Sequence, residues 1–321
     1  MNLFKNKNIL IIGDVMLDSY LFGNVERISP EAPVPIIDIT NKENKLGGAA
    51  NVAANIKNLG GTPILCSVIG KDQSGEIFLS LLKNMNISVD YIYQADNRIT
   101  TNKTRVIGNN HQMLRIDEEI KSELNIKDQE DFSTLINKAL SQKIDCILFQ
   151  DYDKGVINEN IINKVTINAS FLKIPILVDP KKNNFSFYKN VNLFKPNFKE
   201  LKEGLNITVS DKEQALKIGS KILHEKGIEI VFITLSENGI FVSYKKDNEI
   251  INKIIPGTAR QVVDVSGAGD TVISVVSMLL NDVDIEEIAK ISNLAGGIVC
   301  EEVGVVPIDK EKLLKEYYDS I

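Results

Sequence analysis

Asp264-Val265-Ser266-Gly267-Ala268-Gly269-Asp270-Thr271 places two glycines and an alanine between two carboxylates, directly before the apolar run Val272 to Leu280. Small residues at a helix entrance let the backbone approach a ligand closely, and consecutive N–H groups at a helix N-terminus attract an anion. The stretch reads as a cradle for a migrating phosphoryl group, with Asp270 able to accept a proton. An ordinary tight turn ahead of a buried helix has the same composition.

Outward from this stretch, short apolar runs alternate with helical patterns: Asn8 to Gly13, Thr62 to Gly70, Asp145 to Gln150, Ile174 to Asp179, Val191 to Lys195 and Ile228 to Leu235. Such alternation predicts an α/β fold, a mostly parallel, Rossmann-like sheet flanked by helices. Ligands of open α/β sheets bind beyond the carboxyl ends of the strands, so the polar residues there, Asp14, Asp151, Asp179, Asn197 and Ser236, are expected to converge. Two segments break the rhythm, approximately 17–46 and 91–117. Their short alternating stretches read as a small second sheet, either a lid over the crevice, a surface for another subunit, or plain surface hairpins. The polar stretch Ser122 to Gln142 reads as a surface helix. With no repeat or linker visible, 1–321 is expected to form a single domain.

The formal charge of −6 offers no general attraction to nucleic acid or anionic lipid, and a small-molecule partner is expected instead. No segment reaches the roughly 20 apolar residues of a spanning helix, and the N-terminus lacks a signal-peptide pattern. A cytoplasmic location is therefore expected. Cys66, Cys146 and Cys300 have no metal-ligand spacing and read as buried apolar residues.

Gly47-Gly48-Ala49-Ala50-Asn51 is another glycine-rich helix entrance, suited to a substrate lying against the backbone or simply to close packing. In Gly13-Asp14-Val15-Met16-Leu17-Asp18, Asp14 is the better placed to accept sugar hydroxyls, and Asp18 can serve as a turn cap. Asn197 and Glu200, three apart at a helix start, suit either a hydrated Mg²⁺ ion or a capping box. Thr234 to Gly239 suits contact with a nucleotide or a hairpin turn. Lys103, Arg105 and Arg115 offer a dock for a second anionic group, or solubilise a strand. Neither His111 nor His224 has a partner motif, and there is no Walker-type loop, dinucleotide fingerprint, Ser-His-Asp or zinc pattern. Phosphoryl transfer remains.

In order and spacing these motifs resemble the ribokinase-like (pfkB) carbohydrate kinases over the whole chain. Within that family, Gly13 to Asp18, Arg27-Ile28-Ser29-Pro30-Glu31-Ala32-Pro33-Val34-Pro35, Lys103-Thr104-Arg105, Gln112 to Asp117 and Asp179-Pro180-Lys181 look most like the heptose 7-phosphate kinases. The resemblance implies a Rossmann-like domain with a β lid that often mediates a homodimer. It also implies ATP- and Mg²⁺-dependent phosphorylation of a sugar phosphate at its anomeric hydroxyl, with another sugar as the alternative substrate and a non-catalytic sugar-binding protein as the alternative class. Asp270 would be the base and Gly267, Ala268 and Gly269 the anion hole. Asp14, Gly47, Gly48 and Asn51 would hold the sugar, and Asp151, Lys154 and Lys181 would line the substrate path. Asn197 and Glu200 would organise Mg²⁺, Ser236, Gly239 and Asn293 would lie near the nucleotide, and Asp264 and Ser266 would help bind a monovalent cation such as K⁺. The chain departs from the family at Glu302-Val303-Gly304-Val305 and at Asn109-Asn110-His111-Gln112. It ends at Ile321 without the nucleotidyltransferase motif of many relatives, so that second reaction is expected to be absent.

Overall fold

Along β1 (Asn8–Gly13) successive side chains leave the backbone on opposite faces: Ile9 and Ile11 enter one buried apolar cluster, Leu10 and Ile12 another. This period of two makes the strand a partition between two cores. The computed structural model describes residues 3–247 and 249–320; Met1, Asn2, Asn248 and Ile321 lie outside the described residues.

After β1 come β2 (Val15–Ile28), β3 (Pro35–Gly48), α1 (Ala49–Leu59), β4 (Thr62–Gly70), α2 (Gln73–Asn84), β5 (Ile92–Ala95), β6 (Asn102–Gly108) and β7 (His111–Glu118). Next are α3 (Ile126–Leu140), β8 (Cys146–Gln150), α4 (Glu159–Leu172), β9 (Ile176–Asp179), β10 (Leu193–Phe194), α5 (Phe198–Gly204), α6 (Lys212–Glu225) and β11 (Ile230–Thr234). The hairpin β12 (Ile240–Lys246) and β13 (Glu249–Ile255) leads to α7 (Ala268–Leu279), α8 (Ile285–Val299) and α9 (Lys310–Asp319).

The large sheet runs β13-β12-β11-β10-β9-β8-β1-β4-β5, parallel from β11 to β5 and antiparallel through the terminal hairpin. This is the expected mostly parallel α/β architecture. On one face α1, α7 and α8 bury Val52, Ile56, Ile273, Val276, Ile291 and Ala295. On the other, α3, α4 and α6 bury Phe132, Ile136, Ile161, Val165 and Leu216. The helix expected over Ser122 to Gln142 as a surface element is α3, which lies on the surface with its polar side outward and buries Phe132 and Ile136, on one helical face, against the sheet.

The small sheet runs β3-β2-β6-β7. The second inserted segment is correspondingly shorter than 91–117 implied: Ile92–Ala95 pairs parallel with β4 as the edge of the large sheet, since Ile92 and Ala95 are buried there. No helix of the described residues is long and apolar enough to cross a membrane.

Candidate active site

The start of α7 is built by Gly267, which sits at φ +82°, and no side chain caps the helix. A Cβ there would come within 2.8 Å of Asn51 Nδ2, so both the backbone conformation and the approach of Asn51 require glycine. The uncapped helix end presents its positive dipole to the crevice.

Asp270, in the first turn of α7, is only 3% exposed. Its Oδ2 accepts from Asn51 Nδ2 at 2.8 Å, and its Oδ1 accepts from Gln150 Nε2 at 2.9 Å and the Tyr152 hydroxyl at 2.7 Å. Burial pushes the carboxyl up to about 6; the Tyr152 and Asn51 hydrogen bonds and the Lys195 charge pull against burial, while Asp179 adds to it. Such a group is ionised at neutral pH yet basic enough to take a proton.

Gln150 also donates to Asp179 at 3.1 Å, leaving its Oε1 buried and without a hydrogen-bond partner among the described residues. Asp179 in turn pairs with Lys195 Nζ at 3.0 Å, a lysine 3% exposed. A Cβ built on Gly269 would lie 3.7 Å from that ammonium, so a buried cation stands beside the glycine-rich helix start. Asp179 was expected at the crevice as a strand-end residue; Gln150, Tyr152 and Lys195 were not singled out as site residues from sequence, although Gln150 ends β8 and Lys195 directly follows β10.

Asp14 is corrected in role. Its carboxylate accepts backbone N–H groups from Tyr152, Lys154 and Val156 at 2.8, 3.1 and 3.1 Å, so it holds a loop instead of lying open to a sugar. Asp151 faces inward too, accepting from Asn184 at 2.9 Å and the Tyr188 hydroxyl at 3.0 Å. Burial and the neighbouring Asp14 push Asp151 up to about 7. Asp18 is the second carboxylate of the Gly13 to Asp18 stretch. It caps no turn; it lies within β2, buried, paired with Arg105 at 2.5 Å and directly beside Gly47.

Strand register puts Asp18 opposite Lys103, and Arg105 opposite both Tyr20 and Arg115, so these charged groups share one face of the small sheet. Each basic group there has an acidic partner: Lys103 lies 3.8 Å from Asp117 and from Glu119, Arg115 2.8 Å from Asp117, and Lys154 2.7 Å from Glu119. Burial favours protonated Glu119, but Lys154, Lys121 and Lys103 together hold it down to about 2. Lys181 pairs with Glu200 and its ammonium stands 5.2 Å from the centre of the Tyr152 ring.

Asn197 and Glu200 form a reciprocal capping box on α5, with both bonds at 2.8 Å. The capping alternative is therefore realised. Because Glu200 already faces the Lys181 cation, the pair fits a hydrated Mg²⁺ held through water better than one stripped of its waters. Asp264 closes its own turn, accepting from Ser266 N and Gly304 N at 2.9 Å each, so a monovalent cation at Asp264 and Ser266 would have to share those oxygens. The divergent Glu302 to Val305 segment packs here, with Val305 N donating to the Tyr20 hydroxyl at 3.3 Å.

Ser236, Gly239 and Asn293 meet at a different wall. The Ser236–Asn238 turn lies against residues 255–257, where Gly239, at φ +87°, leaves no room for a Cβ. Asn293 Nδ2 donates to the carbonyls of Ile255 and Pro256 at 3.0 and 3.2 Å. These residues shape the wall with backbone, and the Asn293 amide is engaged in holding it.

Residues 6–312 match the family described as pfkB family carbohydrate kinase. The chain is 37% identical over 309 residues to the bifunctional protein HldE of Methylobacillus flagellatus, covering 96% of this chain and 62% of that protein. It is likewise 37% identical over 312 residues to the bifunctional protein HldE of Helicobacter hepaticus, covering 97% and 64%. It thus spans less than two thirds of the length of these relatives. Among solved structures, phosphofructokinase-2 from Escherichia coli in complex with potassium superposes with a TM-score of 0.80 at 19% identity, covering 98% of this chain and 99% of that one. Ribokinase from Arabidopsis thaliana, complexed with ribose and ATP, gives 0.73 at 19% over the same shares.

Proposed function

The chain belongs to the pfkB family of carbohydrate kinases, and from that premise we propose that it transfers the γ-phosphoryl group of ATP to the anomeric hydroxyl of a heptose 7-phosphate. The observation that carries the chemistry is Asp270: a buried carboxylate, raised to about 6, in the uncapped first turn of a helix beside the Lys195 ammonium. A sugar hydroxyl is a weak nucleophile, so phosphoryl transfer needs a base at the attack point and preorganised positive charge at the phosphate. Asp270 takes the hydroxyl proton as the oxygen attacks phosphorus. The N–H groups of Gly267, Ala268 and Gly269, with Lys195, stabilise the charge on the transferring group, and ADP leaves. A hydrated Mg²⁺ held through Asn197 and Glu200 would neutralise phosphate charge.

Asn51, Gly47, Gly48 and Asp18 hold the sugar hydroxyls, while Lys103, Lys154 and Arg115 meet the distal phosphate by exchanging their present carboxylate partners for it. Ser236, Gly239 and Asn293 border the nucleotide. The sugar assignment rests on the Arg27 to Pro35 run and on Lys103 to Asp117. A second copy docks through the outer face of the small sheet, where Leu114 and Ile116 are about half exposed.

ADP release measured with heptose 7-phosphate, fructose 6-phosphate and ribose tests the substrate. Turnover of the heptose well above the other two is expected. Preference for another sugar would overturn the substrate and keep the kinase, and heptose binding without any turnover would overturn the enzyme.

A further inference from the structure

Residues 151–156 form a loop that the structure clamps from several sides. Asp14, at the end of β1, takes three of its N–H groups on one carboxylate. Arg98 donates to the Lys154 carbonyl. Gly155, at φ +79°, lies so close to Ser122 that a Cβ would reach its carbonyl oxygen at 2.1 Å. Asp151 accepts from Asp153 N at 2.9 Å and is anchored below by Asn184 and Tyr188. The loop delivers the Tyr152 hydroxyl onto Asp270 at 2.7 Å. A buried carboxylate is expensive to leave in place unless it is engaged, and three converging backbone donors make Asp14 a strong tether.

We propose that Asp14 is a positioning residue, which by clamping the 151–156 loop fixes the Tyr152 hydroxyl on Asp270 and so sets the proton affinity of the base. This rests on the reading of Asp270 as the base. A donor to a carboxylate favours its ionised form, so slackening the loop makes Asp270 harder to ionise. The other titratable groups acting on Asp270 are Asp179, Lys195 and Lys181, and none of them belongs to the loop.

The test follows Asp270 by carboxyl-carbon NMR titration of the whole protein, alongside the pH dependence of kcat, in wild type, Tyr152→Phe, Asp14→Asn and the double variant. Tyr152→Phe is expected to raise the Asp270 midpoint by about one to two pH units, the worth of a charge-assisted hydrogen bond. Asp14→Asn should raise it comparably, and the double variant should move no further. An unmoved midpoint in Asp14→Asn, or shifts that add in the double variant, would overturn the inference. If Asp14→Asn does not fold, Arg98→Gln loosens the same loop from the Lys154 side and should shift the midpoint in the same direction; no shift there would likewise overturn it. The titration needs no turnover: coupled shifts in a protein that phosphorylates no sugar would uphold the clamp and reject the kinase reading.

Discussion

Asp270 receives three hydrogen bonds in a pocket almost sealed from solvent, and the balance decides how it behaves with pH. Because burial wins and its folded value is about 6, it gains its proton as pH falls through that value. The rate constant kcat should therefore drop about tenfold per pH unit below about 6, measured by ADP release at saturating substrate; a flat profile down to pH 4.5 would argue against Asp270 as base. Lys195→Met, which removes the cation beside Gly269, should lower kcat by about 10²-fold or more while the protein remains folded, as for loss of one preorganised charge in a dry site. Asp270, Gly267 and Asn51 were readable in the sequence because each sits in a short glycine-rich signature at a helix start. Tyr152, Gln150 and Lys195 were not, since what makes them part of the site is contact with groups far along the chain: Tyr152 lies 118 residues from Asp270.

Helix α7 begins without a side-chain cap, and α5 begins with two reciprocal cap bonds. This contrast separates a helix end without a side-chain acceptor, as the proposed anion site requires, from one closed on itself. Gly267→Ala should cost about 1–3 kcal/mol, from the left-handed backbone conformation and the displaced Asn51 amide. Thermal denaturation checks the stability change, and kcat should fall with it because Asn51 bonds Asp270. The apolar runs placed six of the nine large-sheet strands to within about two residues, a usual precision for element ends, and missed β5, β12 and β13. β5 carries only four residues, so its pairing with β4 was invisible without the third dimension, and the buried side of α3 was masked by its lysines and acidic residues. The double aspartate in Gly13 to Asp18 was readable as a pair, but its division of labour was not. Asp14 ends up opposite a loop 138 residues away, and Asp18 falls on the sheet face shared with Arg105.

Across the molecule, buried carboxylates invert the usual dependence of stability on pH. Asp270 and Asp151 have folded values of about 6 and about 7 against an ordinary 3.8. Above about pH 5 these two groups then bind more protons in the folded chain than in the unfolded one, and the stability they contribute falls as pH rises toward 7. His224, buried and held below its ordinary value, opposes them, and the raised Asp14 and Asp153 add to them. A Tm lower at pH 7.5 than at pH 5.5 is expected from calorimetry, and a Tm rising over that range would contradict it. The small sheet is charged on the crevice side and apolar on the other, where Leu114, Ile116, Val106 and Leu21 align by register. Light scattering should accordingly give a dimer for the wild type and a monomer for a Leu114→Glu, Ile116→Glu variant; a monomeric wild type would remove the docking proposal. The most direct measurement is phosphorus NMR of the product formed from ATP and heptose 7-phosphate by wild type and Asp270→Asn. A new anomeric phosphate, formed by the wild type and slowed about 10²-fold or more in the variant, is the predicted result. Equal rates in the two proteins, or a product phosphorylated elsewhere on the sugar, would contradict it.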